Sequence, residues 1–148
     1  MAAPATIAVL LELAQRQVDA AATRLAEAQR QRREAERQRD LLRQYQGEYF
    51  ERQRDLTSLD VPTLANFTAF LGNLETAVAQ QETNLHNLEA RVSAALQHWE
   101  EARRHQRSVE LLAERRAATV RQAEGRREAK QHDELAARVA GRARSAGH

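Results

Sequence analysis

Five histidines, His86, His98, His105, His132 and His148, are the side chains of this chain best suited to general acid–base work or to holding a metal. None stands in an H-E-x-x-H arrangement, which would put two imidazoles on one helix face with a carboxylate base between them. His98 and His105 are seven residues apart and can share a helix face, but no third ligand accompanies them. Solvated surface histidine is the plainer reading, because ligand sets have distinctive spacings. The chain has no cysteine. It therefore offers no thiolate nucleophile and no disulfide framework, a composition that fits a reducing cytoplasm. No glycine-rich phosphate loop and no G-x-S-x-G elbow occurs. These absences exclude the familiar catalytic classes, and the sequence reads as a non-enzyme with no cofactor and no metal.

The remaining residues offer recognition. Five of the six aromatic side chains, Tyr45, Tyr49, Phe50, Phe67 and Phe70, fall in one stretch, with Trp99 apart from them. Charge is also unevenly placed. The net charge is +2, but residues 1–102 carry 11 basic and 15 acidic residues, and residues 103–148 carry 12 basic and 6 acidic ones. A basic C-terminal part is a contact for an acidic partner. It is a poor nucleic-acid site, since no aromatic interleaves with its basic residues beyond Arg115.

Long helices must position these groups. Charged residues make up 30% of the chain and aromatic ones 4%, with five Gly and two Pro. Ala, Glu, Arg, Gln and Leu, all good helix formers, make up most of the chain. An alternating three–four spacing runs through Leu11, Ala14, Val18, Ala21, Leu25, Ala28, Arg32, Ala35, Arg39, Leu42, Gln46, Tyr49, Gln53 and Leu56. It resumes through Leu71, Leu74, Val78, Gln81, Leu85, Leu88, Val92, Ala95, Trp99, Ala102, Gln106, Val109, Ala113, Arg116, Val120 and Ala123. Ten of the first fourteen and thirteen of the second sixteen positions are apolar. Such a seam belongs to a coiled coil and not to disorder.

The one interruption is Thr57–Thr63, where Asp60 or Thr63 can cap a new helix with Pro62 near its first turn. The predicted fold class is therefore all-α, a long antiparallel two-helix coiled-coil hairpin with a C-terminal helical overhang. We expect one domain over 1–148. Its parts are helix one at about 5–56, a turn at 57–63, helix two at about 63–138 and a frayed tail at 139–148. Residues whose numbers sum to about 119 should lie at equal height, which leaves about 25 residues of helix two, roughly 35 Å, beyond the partner. No apolar run reaches the ~20 residues of a membrane span. Glu12 interrupts the apolar Ile7–Leu13 stretch and no basic region precedes it, unlike a signal peptide. Two thin helices also build no water-excluding pocket.

Equal-height pairing places two stripes side by side: Gln38, Leu42, Tyr45 and Tyr49 on helix one, and Phe70, Leu74, Ala77 and Gln81 on helix two. Tyr45, Phe70 and Ala77 fall outside the seam. They either thicken the core beneath the turn or face a partner, and the pattern admits both. The overhang carries Arg115, Arg116, Arg121, Arg126, Arg127 and Lys130. It is either a solvated extension or a helix that orders on binding.

The segments L-L-R-Q-Y-Q-G-E-Y at 41–49, F-L-G-N-L-E-T-A-V-A-Q-Q at 70–81, V-S-A-A-L-Q-H-W at 92–99 and E-A-K-Q-H-D-E-L-A-A-R at 128–138 resemble the FliJ family of flagellar type III export. The likeness covers nearly the whole chain. It implies a cytoplasmic, non-catalytic monomer similar to a rotary-ATPase central stalk. Such a protein binds the hexameric export ATPase, the membrane export-gate protein and export chaperones, and meets the inner membrane only peripherally through those partners. The resemblance carries gate binding onto Gln38, Leu42, Tyr45, Tyr49, Phe70, Leu74, Ala77 and Gln81, the last standing where the family pattern has a histidine. It carries ATPase-ring binding onto the overhang residues Arg115, Arg116, Arg121, Arg126, Arg127 and Lys130. The stalk protein of injectisome secretion and a generic coiled-coil adaptor are the alternative readings.

Overall fold

The computed structural model describes residues 4–55 and 60–147. They form two helices, α1 (Pro4–Asp55) and α2 (Val61–Ala146), packed against each other as an antiparallel hairpin, with no strand among the described residues. Proline opens both helices, where a missing N–H leaves no bond unmade. The Leu64 N–H donates to the Asp60 carbonyl at 3.1 Å, so Asp60 stands at the N-cap position, as the sequence allows. The chain divides into two compact units, one from the part up to Gln15 with the part from Arg104 onward, the other from Arg16–Arg103.

In the Arg16–Arg103 unit the seam is thin and small-residued. Val18, Ala21 and Ala35 from α1 meet Leu71, Leu74, Val78, Leu85, Leu88 and Val92 from α2, all buried. Ala35, Leu85 and Leu88 form its tightest cluster. No large side chain among the described residues is fully buried. Alanine on one helix lets the other approach closely, so leucine and valine reach across the gap without filling a wide core. Arg32, Arg39 and Gln46 are half-buried on the same seam, where their stems cover it, and Arg32 Nε is shielded from solvent without a hydrogen-bond partner.

In the other unit Ile7 and Ala14 pack with Val109 and Gln106, again all buried. Ile7 extends the seam one step beyond the spacing read from Leu11. Past Arg116 every described residue of α2 is exposed, Val120 and Ala123 included, because the described part of α1 begins at Pro4 and reaches only the edge of this stretch.

Two boundaries differ from the sequence reading. Helix two begins at Val61, so 61–63 are helical and not turn. It also continues through Ala146, where the sequence suggested fraying beyond about 138. Ala136, Ala137, Ala140, Ala143 and Ala146 carry it, and Gly141 opposes with only about 1 kcal/mol. Leu56 and 57–59, assigned to the seam end and turn, lie outside the described residues. Gln53 is exposed although it continues the seam spacing; Val61–Leu64 are likewise exposed, so the seam has already opened there.

Candidate interaction surfaces

Within the Arg16–Arg103 unit, α1 and α2 bring the two stripes together in the register the spacing predicts. The Gln81 side-chain amide donates to Gln38 Oε1 at 3.2 Å and to the Ala35 carbonyl at 3.3 Å. Tyr49 meets Phe70 edge-on with ring centroids 4.8 Å apart, and Phe67 tilted at 6.0 Å. Edge-to-face packing of this kind adds about 0.5–1.5 kcal/mol to the burial itself. The Arg52 guanidinium lies 5.2 Å above the Tyr49 ring, which leaves the tyrosine half-buried under a cation. Arg43 and Glu82 join the helices on a flank by an ion pair.

The stripes split into support and surface. Leu74 is buried in the seam, and Leu42, Tyr49, Ala77 and Gln81 are half-buried. Gln38 is exposed, and Tyr45 and Phe70 each keep 44% of their surface open. Leu41, one turn before Tyr45, is exposed as well and belongs to the same face. Sequence spacing alone passed over Leu41 because it lies outside both stripes. An aromatic pair that is half open beside a packed tyrosine is suited to protein recognition: large apolar area is offered with two rotatable torsions per side chain.

The second surface belongs to the unit of the chain ends. Arg115, Arg121, Arg126, Arg127 and Lys130 are exposed on α2. Arg116 is different. It is half-buried, and its Nη1 is shielded from solvent without a hydrogen-bond partner. It lines a shallow groove of about 450 Å³ with Pro4, Ile7, Ala113, Ala117, Val120 and Arg121. The sequence placed Arg116 on the seam and also among the charged residues of the overhang; the structure assigns it mainly to the seam. Pro4 and Ile7 were not marked as site residues, although the seven-residue phase through Ala14 points to Ile7.

Among the described residues no three His, Asp or Glu side chains gather as a cation site. His86, His98, His105 and His132 are exposed, and His148 lies outside the described residues. Among the described residues the one clear carboxylate shift is at Glu27. A hydrogen bond from Arg30, its charge and a hydrogen bond from Gln31 hold Glu27 below the usual carboxylate range on an open face. No described helix is long and apolar enough to cross a membrane.

The family profile of FliJ, described as Flagellar FliJ protein, matches residues 4–145. The chain belongs to the FliJ family. The Flagellar FliJ protein of Escherichia coli (strain K12) is 32% identical over 142 residues, covering 95% of this chain and 97% of that protein. The Flagellar FliJ protein of Salmonella typhi is 32% identical over 146 residues, with the same coverage. The FliJ match thus runs along both helices and takes in both surfaces, and it places the chain in flagellum biogenesis and protein export.

Proposed function

We propose that this chain is a non-catalytic stalk of flagellar protein export, coupling the hexameric export ATPase to the membrane export gate and meeting export chaperones. In this reading it works as a cytoplasmic monomer that reaches the inner membrane only through its partners. Family membership over residues 4–145 carries the export role. The two surfaces support the coupling role. The exposed Tyr45 and Phe70, with Gln38, Leu41 and Leu42 beside them, offer the gate protein an aromatic patch. Leu74 and Tyr49 hold that patch from beneath.

Arg115, Arg121, Arg126, Arg127 and Lys130 offer the ATPase ring a positive helix that needs no rearrangement of the seam to be reached. Arg116 contributes at the root of that helix. A coil of this kind does no chemistry. It biases the ring by where it binds and transmits engagement through helices that are stiff along their axes.

The deciding experiment is a pull-down from purified components. Immobilised chain should retain the export ATPase, and separately the soluble part of the gate protein. Loss of gate binding in Tyr45→Ala/Phe70→Ala with ATPase binding kept supports two separate surfaces. Failure of the unsubstituted chain to retain either partner overturns the coupling role.

A further inference from the structure

Among the described residues two guanidinium nitrogens are shielded from solvent without a hydrogen-bond partner, Arg32 Nε and Arg116 Nη1. They are not equivalent. Arg32 Nε stands 3.5 Å from Glu36 Oε1, one turn along its own helix, so a carboxylate balances its charge. The groove around Arg116 is lined by Pro4, Ile7, Ala113, Ala117, Val120 and Arg121, with no carboxylate among them. A second cation therefore shares an otherwise apolar lining with the first.

The groove lies wholly within the unit of the chain ends. Ile7 is buried, Ala113 is half-buried and Val120 keeps 45% of its surface open. Apolar area is thus offered beside a guanidinium nitrogen withdrawn from water. A donor left in that state is destabilising, and a charged acceptor that reaches it ends the deficit. A neutral acceptor would satisfy the nitrogen but leave two positive charges uncompensated. A carboxylate answers both needs. The apolar lining then suits a leucine-sized side chain next to that carboxylate.

We infer that this groove is a socket for one acidic segment of a partner protein, taking a carboxylate on Arg116 and a leucine-sized side chain against Ile7, Ala113 and Val120. The partner is the export ATPase, an assignment that rests on the coupling role proposed for the chain. Charge complementarity favours an acidic segment. Residues 103–148 carry 12 basic against 6 acidic residues, and Arg115, Arg121, Arg126, Arg127 and Lys130 are exposed on the same helix. These open cations draw the segment in, and the socket fixes where it stops. Salt separates the two contributions, because it screens exposed charges far more than a pair closed off from water.

The test uses the full chain and the purified export ATPase. Arg116→Leu should weaken binding about tenfold at low and at high salt alike, a hot-spot loss. Its melting temperature alone should hold or rise, since an apolar side chain replaces an unsatisfied guanidinium. Arg116→Lys keeps the charge but not the planar fork, and should bind between the two. The chain has no native cysteine, so Ala117→Cys can carry a benzophenone group beside the socket. The ATPase segment it captures on illumination should hold an Asp or Glu next to a large apolar residue. Undiminished binding by Arg116→Leu to an ATPase that the unsubstituted chain retains overturns the socket and leaves the coupling role standing. So does a captured segment without an acidic residue, or a large fall in melting temperature with normal binding. Self-association of the chain that is lost in Arg116→Leu would give the groove to a second copy and overturn the ATPase as its occupant. No retention of the ATPase by the unsubstituted chain overturns both the socket's assignment and the coupling role.

Discussion

Between Leu71 and Val109, α2 buries a side chain or half-buries one every three or four residues; between Arg121 and Gly147 it buries none. The two stretches have similar helix-forming composition, and both are helical. They differ in what holds them. The first is fixed by contact with α1, where each buried leucine contributes roughly 1.5–3 kcal/mol. The second has only local terms: good helix formers and favourable charge spacing such as Glu134 to Arg138, worth a few tenths of a kcal/mol each. The comparison teaches that one continuous helix can hold a part fixed by tertiary contact and a part held by local terms alone.

Removing the second part is the strongest way to test that division. Deleting residues 121–148 should leave the unfolding of the paired hairpin nearly unchanged while abolishing retention of the export ATPase in the pull-down that tests the proposed coupling role. A cut before Arg116 is less clean, because it removes the seam and groove residues Arg116, Ala117 and Val120 that cover Ile7. Undiminished retention by the shortened chain would place the proposed ring contact elsewhere.

Matched truncations should separate the two stretches energetically. Leu85→Ala should cost about 2–5 kcal/mol in urea unfolding, since it opens space in the Ala35–Leu88 cluster. Leu135→Ala, at a position 58% exposed, should stay within about 0.5 kcal/mol. Equal costs would mean that the overhang is packed in solution.

A smaller effect is expected at the surfaces. Tyr45→Ala with Phe70→Ala should weaken gate-protein binding by about tenfold or more, a hot-spot loss of over 1 kcal/mol. The same pair should lower the melting temperature by only a few degrees, the part due to the lost Phe70–Tyr49 contact. A large drop in melting temperature with normal binding would return the pair to the core. Arg126→Glu with Arg127→Glu should weaken ATPase binding more at low salt than at high salt, where screening already removes most of the attraction. A salt-independent loss would point to a packing contact instead.

The smallest effect concerns Glu27. Its carboxyl is held below the ordinary value by Arg30, so any stability it lends is present above the unfolded-state value and is lost as pH falls through the lower folded one. Because the pair is fully exposed, Glu27→Gln should change the acid side of the stability profile barely detectably. A clear loss of acid stability would show that this face is covered by something in solution.

The helical class, the antiparallel pairing and nearly every seam position were legible in the sequence. The three–four period leaves little choice, and one proline-marked break in so regular a pattern forces the second helix back along the first. Equal-height pairing was legible too, as the Gln38–Gln81 and Tyr49–Phe70 contacts show. How open the off-seam residues of the stripes stay was not. Whether Tyr45 and Phe70 thicken the core or stay half open depends on how far each helix is rotated about its axis, and a few tens of degrees decide it.

The length of the overhang likewise needed the structure. Propensity along 139–146 is close to balanced between helix and fraying, so small terms settle where the helix ends. Arg116 shows the limit most clearly. Its spacing says seam and its charge says surface. Only the packing of Ile7 and Pro4 at the start of α1 decides that its stem is covered and its Nη1 is left without a partner. Sequence determined which residues can face each other, because periodicity is a property of one helix. Tertiary structure decided how much of each remains open, because exposure is a property of two.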